Sequence, residues 1–287
     1  TNNDSAYDCA IEFKKNGVNP IVLDIRNNSE ASVVKEAKNL NIDIKFSSGV
    51  VNARGYLRVN SATLGKLNKD KSDYEKLENI SCDCICVSGN WTPTVHLASQ
   101  SGNKLKFDEK LNSFVPDQSR QNETTIGSAS GVFTLKKSLD NGFSKGYELS
   151  KKITGQDNKT LSPPSNEREY KEHDKFWCMP LPKKKHYKRF VDFQNDVAVS
   201  DIELAIREGF RSIEHVKRYT TLGMATDQGK TSNLNGLQLV SKIENKIIPE
   251  VGHTTFRPPY TPITIGAIVG REVGKHYRPT RKSPMHL

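Results

Sequence analysis

The sequence comprises 287 residues with a formal net charge of +10, and 26% of its residues are charged. This length accommodates two domains, or one large domain with appendages. No apolar run is long enough to span a bilayer, and no basic segment followed by an apolar one suggests a signal peptide. We therefore expect a cytoplasmic protein with no membrane partner.

The basic charge permits nucleic-acid binding, but its distribution argues against it. Acidic residues are interleaved with the lysines and arginines along the chain. The densest basic run, residues 183–189, lies in a proline-rich connector. This pattern favours a solvated linker over a nucleic-acid patch, so we expect no nucleic-acid partner.

Three of the five cysteines, Cys82, Cys84 and Cys86, form a C-x-C-x-C pattern. The surrounding residues 80–88 predict a short buried strand, in which alternate side chains share a face about 6.6–7 Å apart. Thiolates so spaced do not converge on one tetrahedral zinc ion. We therefore predict structural cysteines, no metal site and a reducing compartment.

The first half of the chain alternates between helical and strand patterns, which predicts a parallel sheet with crossover helices. Apolar residues recur at helical spacing before Gly17, a favourable helix stop. The predicted elements are a helix over residues 6–16, a strand over 20–24, a helix over 30–39, a strand over 42–46, and a hairpin through 52–55 into 56–64.

The chain opens on a turn-rich segment, residues 1–5, that precedes the first helix. A nucleotide-binding βαβ unit has a strand before such a loop, so we expect the sequence to be a fragment of a longer polypeptide. Asn3 and Asp4 lie in this loop and are candidate cofactor-binding residues. Asp24 ends the next strand about twenty residues on, where it is either a ribose-hydroxyl acceptor or an ordinary strand-end aspartate.

Two glycine-containing turns are further candidates for ligand contact. In residues 88–93, Gly89 permits close backbone approach and Trp91 offers a stacking face. Residues 125–131 precede a predicted helix over 132–140, and Gly127 and Ser128 expose backbone N–H groups there to an anion.

Residues 156–188 have the composition of a linker, and a small helical domain over residues 189–250 follows. Ser200 and Glu203 form a predicted capping box for its first helix, which ends at Gly209. Ser212 is the predicted cap of a second helix over 213–219, and a third is predicted near 236–247. Residues 251–287 read as an extended arm that wraps a neighbour or connects to a further domain.

Residues 217–232, which we call the 217–232 loop, combine cations, hydroxyls and glycines in a pattern suited to a phosphate. The alternative is a solvated basic helix end. The residues that define the pattern are Lys217, Arg218, Thr220, Thr221, Gly223, Gln228, Gly229 and Lys230.

With these motifs in place, the chain resembles the alpha subunits of heterotetrameric sarcosine oxidases. The segments that carry the resemblance are residues 1–7 (TNNDSAY), 87–97 (VSGNWTPTVHL), 190–197 (FVDFQNDV), 205–231 and 257–262. They span nearly the whole chain in one order. Asn90 departs from the glycine that the family pattern predicts.

The resemblance implies an α/β fold: a partial two-dinucleotide-binding, Rossmann-like module over residues 1–155, followed by the small helical domain. It implies NAD in the alpha subunit, FAD on the beta subunit and FMN shared between them. It also implies gamma and delta partners and a tetrahydrofolate-binding domain missing from this chain. The activity implied is oxidative demethylation of sarcosine to glycine, with hydrogen peroxide and methylenetetrahydrofolate as products, and this segment alone would be inactive.

The helical domain also resembles the small [2Fe–2S]-binding domain of the bacterioferritin-associated ferredoxin type. The positions comparable to its four cluster cysteines are Asp192, Gln194, Asp227 and Ser232. A cluster requires thiolate ligands, so we predict a cysteine-less domain without a cluster. The 217–232 loop would then be available for the FMN phosphate.

The sequence thus predicts no catalytic residue and no metal ligand. His96 and His215 have no partner at a hydrolase-triad spacing. Two other functions stay open: a subunit of a related N-methyl amino acid oxidase or dehydrogenase, and a non-catalytic electron-transfer or scaffold subunit. The candidate cofactor-binding residues are Asn3, Asp4, Asp24, Gly89, Trp91, Gly127, Ser128, Lys217, Arg218, Thr220, Thr221, Gly223, Gln228 and Lys230.

Overall fold

The structure is a computed structural model that describes residues 1–157, 175–182, 187–258, 261–276 and 283–285. The helices are α1 (Ser5–Lys15), α2 (Ser32–Asn39), α3 (His96–Gln100), α4 (Leu135–Thr154), α5 (Val199–Arg207), α6 (Ile213–Thr220), α7 (Asn233–Glu244), α8 (Ile248–Val251) and α9 (Ile265–Val269). The strands are β1 (Ile21–Asp24), β2 (Asp43–Phe46), β3 (Ser48–Gly55), β4 (Val59–Leu67), β5 (Tyr74–Ser81), β6 (Leu105–Asp108), β7 (Ser113–Pro116), β8 (Phe190–Asp192) and β9 (Val197–Ala198).

The N-terminal unit packs α1 and α2 against the parallel pair β1–β2. Its core joins Tyr7 and Ile11 of α1 to Val34 of α2, because both helices repeat apolar residues at helical spacing. The backbone of Thr1 donates to Leu23 O at 2.7 Å and accepts from Ile25 N at 3.0 Å. That is the bonding of a residue beside β1 in a parallel ladder. The predicted helix and strand alternation is confirmed here.

The predicted parallel sheet extends no further than this pair among the described residues. β3, β4 and β5 form an antiparallel meander. Ala62, Leu64 and Leu67 of β4 are buried, whereas β5 is a largely exposed edge. Short connections between successive strands favour antiparallel pairing, since a parallel pair needs a long crossover.

The buried strand predicted over residues 80–88 is wrong. Strand β5 ends at Ser81, and the last ladder-like bond runs from Cys82 N to Asn60 O at 3.2 Å. Between Cys82 and α3 the chain forms no strand, Cys84 is exposed, and Val87 is 81% exposed. The apolar residues of this run lie past the edge of the meander, where no described strand covers them.

Helix α4 begins later and runs further than the 132–140 prediction, because residues Gly127–Ser130 form a separate 3₁₀ turn first. None of its 20 residues is buried against the described part of the chain. Large apolar side chains of α4 are exposed, namely Leu135, Phe143, Leu149 and Ile153. The helix therefore presents apolar surface outward.

The helical unit packs α5, α6, α7 and α8 around one core that includes Ile202, Val216, Leu222 and Val240. The predicted capping box at Ser200 is wrong, because the N-cap of α5 is Ala198, two residues earlier and directly at the end of β9. Asp201 Oδ2 accepts from Ala198 N at 2.8 Å and supplies the cap instead.

The ends of α5 and α6 follow the sequence more closely. Gly209 has a φ of +97° just past the end of α5, as predicted for a left-handed helix stop. Ser212 occupies the N-cap position of α6, with no side-chain capping bond to the described residues.

The described part of the predicted linker packs against the folded units. Trp177 and Cys178 lie against the helical core, and the Tyr74 hydroxyl donates to Pro180 O at 2.6 Å. This stretch is therefore not a solvated connector, because it contacts both the helical unit and strand β5. Residues 158–174 and 183–186 lie outside the described residues, and so does most of the basic run.

Candidate functional site

A cleft of about 240 Å³ lies between α6, the 217–232 loop and the residues that follow α8. We call it the cationic cleft. Helical spacing brings three charged residues of α6 to one face. Its lining residues are Glu214, Lys217, Arg218, Gly223, Met224, Gln228, Thr255, Phe256 and Arg257. A second depression, of about 340 Å³ beside Tyr74 and Pro182, follows the β5 edge and lies away from these groups.

The cationic cleft carries three cations and one carboxylate, Glu214. Lys217 Nζ donates to Thr255 O at 3.4 Å, and a Glu214 oxygen lies 3.9 Å from Arg218. Burial lowers the pKa of Lys217; the charge of Glu214 opposes this, and those of Arg257 and Arg218 add to it. A bound anion would relieve this repulsion, so the electrostatics favour a phosphate or carboxylate ligand.

Thr220 and Thr221, the two predicted hydroxyl donors, do not line the cleft. Thr220 Oγ1 donates to Val216 O at 2.8 Å, and Thr221 Oγ1 donates to Thr220 O at 2.6 Å. Each hydroxyl carries one proton, so neither proton points to a ligand in this arrangement. The predicted role of these hydroxyls as phosphate donors is therefore not supported by the geometry.

The glycines Gly223 and Gly229 serve the packing of the loop. Gly223 N donates to Asp192 Oδ2 at 2.8 Å, and Gly229 N donates to Asp227 Oδ1 at 3.1 Å. Both have positive φ, +67° and +73°, and a Cβ at either would lie within 2.3 Å of an Asn233 side-chain atom. Their N–H groups are directed at carboxylates, which corrects the expectation that they point at a phosphate.

The positions compared with cluster cysteines converge in a hydrogen-bonded network. Asp192 is buried, and its carboxylate accepts from Gln194 N at 2.9 Å and from the Ser232 hydroxyl at 3.4 Å. Gln194 Oε1 accepts from Asp227 N at 3.3 Å. This network links β8 to the 217–232 loop through polar side chains.

Asp227 stabilises the C-terminal part of the 217–232 loop through its carboxylate. Its Oδ2 accepts from Thr231 Oγ1 at 2.6 Å. Burial by itself raises the pKa of Asp227, but hydrogen bonds from Thr231 and Gly229 and the charge of Lys230 outweigh it and lower the pKa. Lys230 Nζ donates to Asp227 O at 3.2 Å and does not line the cleft. Lys230 therefore stabilises the loop, contrary to its predicted place among the ligand cations.

His96, the first residue of α3, connects the 217–232 loop to the part of the chain that precedes the helical unit. Its Nε2 lies 3.1 Å from Gln228 O, and its ring centroid lies 4.0 Å from that of Phe256. The side chain is 5% exposed. Burial lowers the pKa of His96, and Lys230 and Lys217 add to this effect, while the hydrogen bond with Gln228 and the charge of Asp227 oppose it. A carbonyl oxygen only accepts, so Nε2 is the donor to Gln228 O.

The predicted ribose acceptor, Asp24, is fully buried and already paired. Tyr7 Oη donates to Asp24 Oδ2 at 2.7 Å, and Arg26 Nη2 donates to the same oxygen at 2.7 Å. Arg26 Nη1 also donates to Asp4 Oδ1 at 2.7 Å. Burial and the bond to Asp24 raise the pKa of Tyr7. Neither carboxylate is exposed to a ligand in this arrangement, which corrects both expectations.

Three other predicted residues meet at the N-terminus of α1. Asn3 Nδ2 donates to Gly89 O, and Trp91 Nε1 donates to Ser5 Oγ at 3.3 Å. The indole is 62% exposed and is accessible for stacking. No described atom lies within 4 Å of a Cβ built on Gly89, so close packing does not require glycine there.

Gly127 and Ser128 begin the 3₁₀ turn beside β7 and do not lie at the α4 N-terminus. Their carbonyl groups accept from Val132 N and Gly131 N at 3.1 and 3.2 Å. The expectation of exposed N–H groups at a helix start therefore does not hold for α4.

The sequence reading missed five lining residues of the cationic cleft: Glu214, Met224, Thr255, Phe256 and Arg257. The positive charge of Arg257 could have indicated a place in the cleft. Arg257 lies too far from the 217–232 loop in the sequence for this contact to be predicted. Among the described residues, no group of three or more His, Cys, Asp or Glu is placed to hold a metal ion. In the same part of the chain, no helix combines the length and apolar character needed to cross a membrane.

Comparison with known proteins extends these observations. Residues 186–271 match the family described as sarcosine oxidase A3 domain. The chain is 37% identical over 217 residues to the sarcosine oxidase subunit alpha of Rhizobium meliloti, covering 74% of this chain and 21% of the relative. It is 32% identical over 299 residues to that of Corynebacterium sp. strain P-1, covering 100% of this chain and 30% of the relative.

Among solved structures, the L-proline dehydrogenase of P. horikoshii superposes with a TM-score of 0.57 at 18% identity. The match covers 86% of this chain and 49% of that one, and it supports a shared fold of mixed α/β and helical character. The chain spans less than a third of the length of the curated relatives it matches. These matches show that the chain belongs to the family of sarcosine oxidase alpha subunits.

Proposed function

We propose that this chain is part of the alpha subunit of a sarcosine-oxidising flavoprotein, and that its cationic cleft binds the phosphate of FMN. The observation that carries the proposal is the convergence of Lys217, Arg218 and Arg257 on one cavity beside the ring of Phe256. The family names and the oxidoreductase fold of the structural neighbour agree with this class of activity.

The residues of the cleft fit the chemistry of a flavin phosphate. Lys217 and Arg257 would supply charge-assisted donors, and Phe256 and Met224 offer apolar surface to an aromatic ring system. FMN, when bound, supplies the electron-transfer chemistry. This chain's own residues would neutralise the phosphate and orient the cofactor, and Thr220, Thr221, Gly223 and Lys230 would support them by holding the loop.

We further propose that NAD binds near the N-terminus of α1. The exposed Trp91 ring and the Asn3–Gly89 contact support this location. Asp24 is left out of the proposed site because its oxygens already accept from Tyr7 and Arg26. Gly127 and Ser128 stay candidate contacts.

The remaining parts of the proposal rest on the family resemblance. FAD would lie on the beta subunit, and tetrahydrofolate would bind in a domain outside this chain. The products would be glycine, hydrogen peroxide and methylenetetrahydrofolate, in a cytoplasmic complex with beta, gamma and delta subunits. The outward apolar surface of α4 supports assembly with further protein, since such patches mark interaction surfaces.

A non-catalytic role is favoured by one observation. Asp24 has the position of a ribose acceptor but is buried in a network with Arg26, as a vestigial nucleotide site would be. Bound NAD released on denaturing the assembled complex would argue against this alternative. A related activity on another N-methyl amino acid would leave the same flavin cleft in place.

The FMN assignment can be tested in the assembled complex by substituting Lys217→Ala and Arg257→Ala together. We expect the FMN released on denaturation to fall, while FAD content provides an internal reference that stays constant. Lys246→Ala is a matched control, because Lys246 pairs with Glu244 away from the cleft. Unchanged FMN in the double variant would contradict the assignment.

A further inference from the structure

The segment between β5 and α3 carries two cysteines whose sulfur atoms lie together. Cys84 Sγ and Cys86 Sγ are 3.8 Å apart, and both residues are exposed. Neither belongs to the cationic cleft. We propose that Cys84 and Cys86 form a modification site, at which a hydroperoxide oxidises the two thiols to an intramolecular disulfide.

The geometry of the segment permits this bond. A disulfide requires an S–S distance of about 2.05 Å and a Cα separation of roughly 4.4–6.8 Å. Residues two apart in extended chain lie about 6.6 Å apart, within that range. The sulfurs must approach by less than about 2 Å, and the segment holds no strand pairing among the described residues that this movement would break.

The two thiols are chemically unequal. Burial and the hydrogen bond with Cys84 raise the pKa of Cys86, and the negative charges of Cys84 and Cys9 add to this effect. A raised pKa disfavours the Cys86 thiolate, and either thiol can donate to the other sulfur across the 3.8 Å contact. We therefore assign Cys84 as the attacking sulfur and Cys86 as the resolving one.

The oxidation balances in two steps. The Cys84 thiolate attacks an oxygen of the hydroperoxide, so that an S–O bond forms, the O–O bond breaks, and the departing oxygen takes a proton to leave as water or an alcohol. The Cys86 sulfur then attacks the sulfenic sulfur. The S–S bond forms, the S–O bond breaks, and the hydroxyl leaves as water with the Cys86 proton.

Hydrogen peroxide, a product of the proposed activity, belongs to the oxidant class that the site requires. The dithiol itself does not depend on that activity, because any hydroperoxide supplies the same oxygen.

Cys9 and Cys82 compete as partners, since the charge of Cys9 acts on Cys86 and Cys82 lies two residues before Cys84. Cys178 is not a competing partner, because its sulfur accepts a hydrogen bond from Arg189 Nη1 at 3.4 Å.

The test uses the full, reduced chain treated with hydrogen peroxide, followed by alkylation of remaining thiols and peptide mass mapping. Trypsin leaves all three cysteines of the segment in one peptide, residues 77–104, and cleavage before Asp83 then separates Cys82 from the pair. We expect a disulfide within the fragment that begins at Asp83, with a mass lower by two hydrogens and reversible by dithiothreitol. Cys84→Ser should lose it, and the control Cys178→Ser should retain it.

Several results would overturn the assignment. These are a Cys9–Cys86 or Cys82-containing disulfide, or overoxidised cysteines without any disulfide. Because added peroxide replaces enzymatic turnover, the result is independent of FMN binding. An inactive complex whose Cys84–Cys86 disulfide still forms would count against the proposed function alone.

Discussion

The Nε2 atom of His96 lies 3.1 Å from the carbonyl oxygen of Gln228, a residue 132 positions further along the chain. This bond joins α3, which precedes the helical unit in the chain, to the 217–232 loop of that unit. The His96 ring also contacts Phe256, which lines the cationic cleft. The shape of the cleft therefore depends on a side chain from the other unit.

His96 should make the stability of the protein fall on mild acidification. Its folded pKa lies below the usual 6.5 because burial disfavours the imidazolium. The unfolded chain then binds more protons than the folded chain. The contribution of His96 to the free energy of unfolding is therefore complete above pH 6.5 and is lost as the pH falls below that value. We expect the free energy of unfolding, measured in urea, to decline between pH 7.5 and 5.5.

The variant His96→Gln separates this effect from other titrations. Glutamine keeps an N–H donor for Gln228 O but carries no titrating group. We expect it to lose less than about 1 kcal/mol at pH 7.5 and to show a weaker dependence on pH than the parent. An identical pH dependence in the two proteins would refute the assignment.

Replacing Asp192 should destabilise the helical unit strongly. The buried carboxylate accepts from Gln194 N, Asn195 N and Gly223 N, so Asp192→Ala leaves one buried and two part-buried donors without this acceptor. We expect a loss of about 2–4 kcal/mol in the free energy of unfolding. Asp43→Ala is the control, because the exposed Asp43–Lys45 pair should contribute less than about 1 kcal/mol. Equal losses in the two variants would contradict the network.

Gly229→Ala should destabilise the 217–232 loop for two separable reasons. The new Cβ would lie 2.3 Å from Asn233 side-chain atoms, and the φ of +73° disfavours a residue with a Cβ. We expect a loss of about 1–3 kcal/mol in urea unfolding. Adding Asn233→Ala should remove the steric part of this loss and leave the part that arises from φ. A double variant whose loss equals or exceeds the sum of the two single losses would argue against the contact.

Arg26→Ala should destabilise the N-terminal unit, because it leaves the buried carboxylates Asp4 and Asp24 without their cation. Breaking a buried ion pair in this way costs about 3–5 kcal/mol. Lys35→Ala is a suitable control in the same unit, since the side chains of the Lys35–Glu30 pair are 61% and 68% exposed and this ion pair should contribute less than about 1 kcal/mol. Thermal unfolding of both variants provides the measurement, and a similar change in midpoint would contradict the role of Arg26.

Local sequence patterns predicted helices and strands well where the residues of one short segment determine the structure of that segment. The amphipathic spacing of α1 and α2, the strands β1 and β2, and the stop at Gly209 all follow from residues within a few positions of each other. The strand predicted over residues 80–88 was wrong, because this run of suitable residues lacks the neighbouring strand that the pattern presupposed. The helix predicted over residues 132–140 is present as α4, but its bounds differ.

By itself, the sequence determined the α/β and helical composition, the family resemblance and the presence of a cationic loop at residues 217–232. Tertiary structure alone decided which groups meet. It brought Arg257 and Phe256 to Lys217, and it placed Asp24 in a buried network with Tyr7 and Arg26. The reason is physical: periodicity and propensity act within a few residues, whereas the availability of a charge depends on packing between segments distant in sequence.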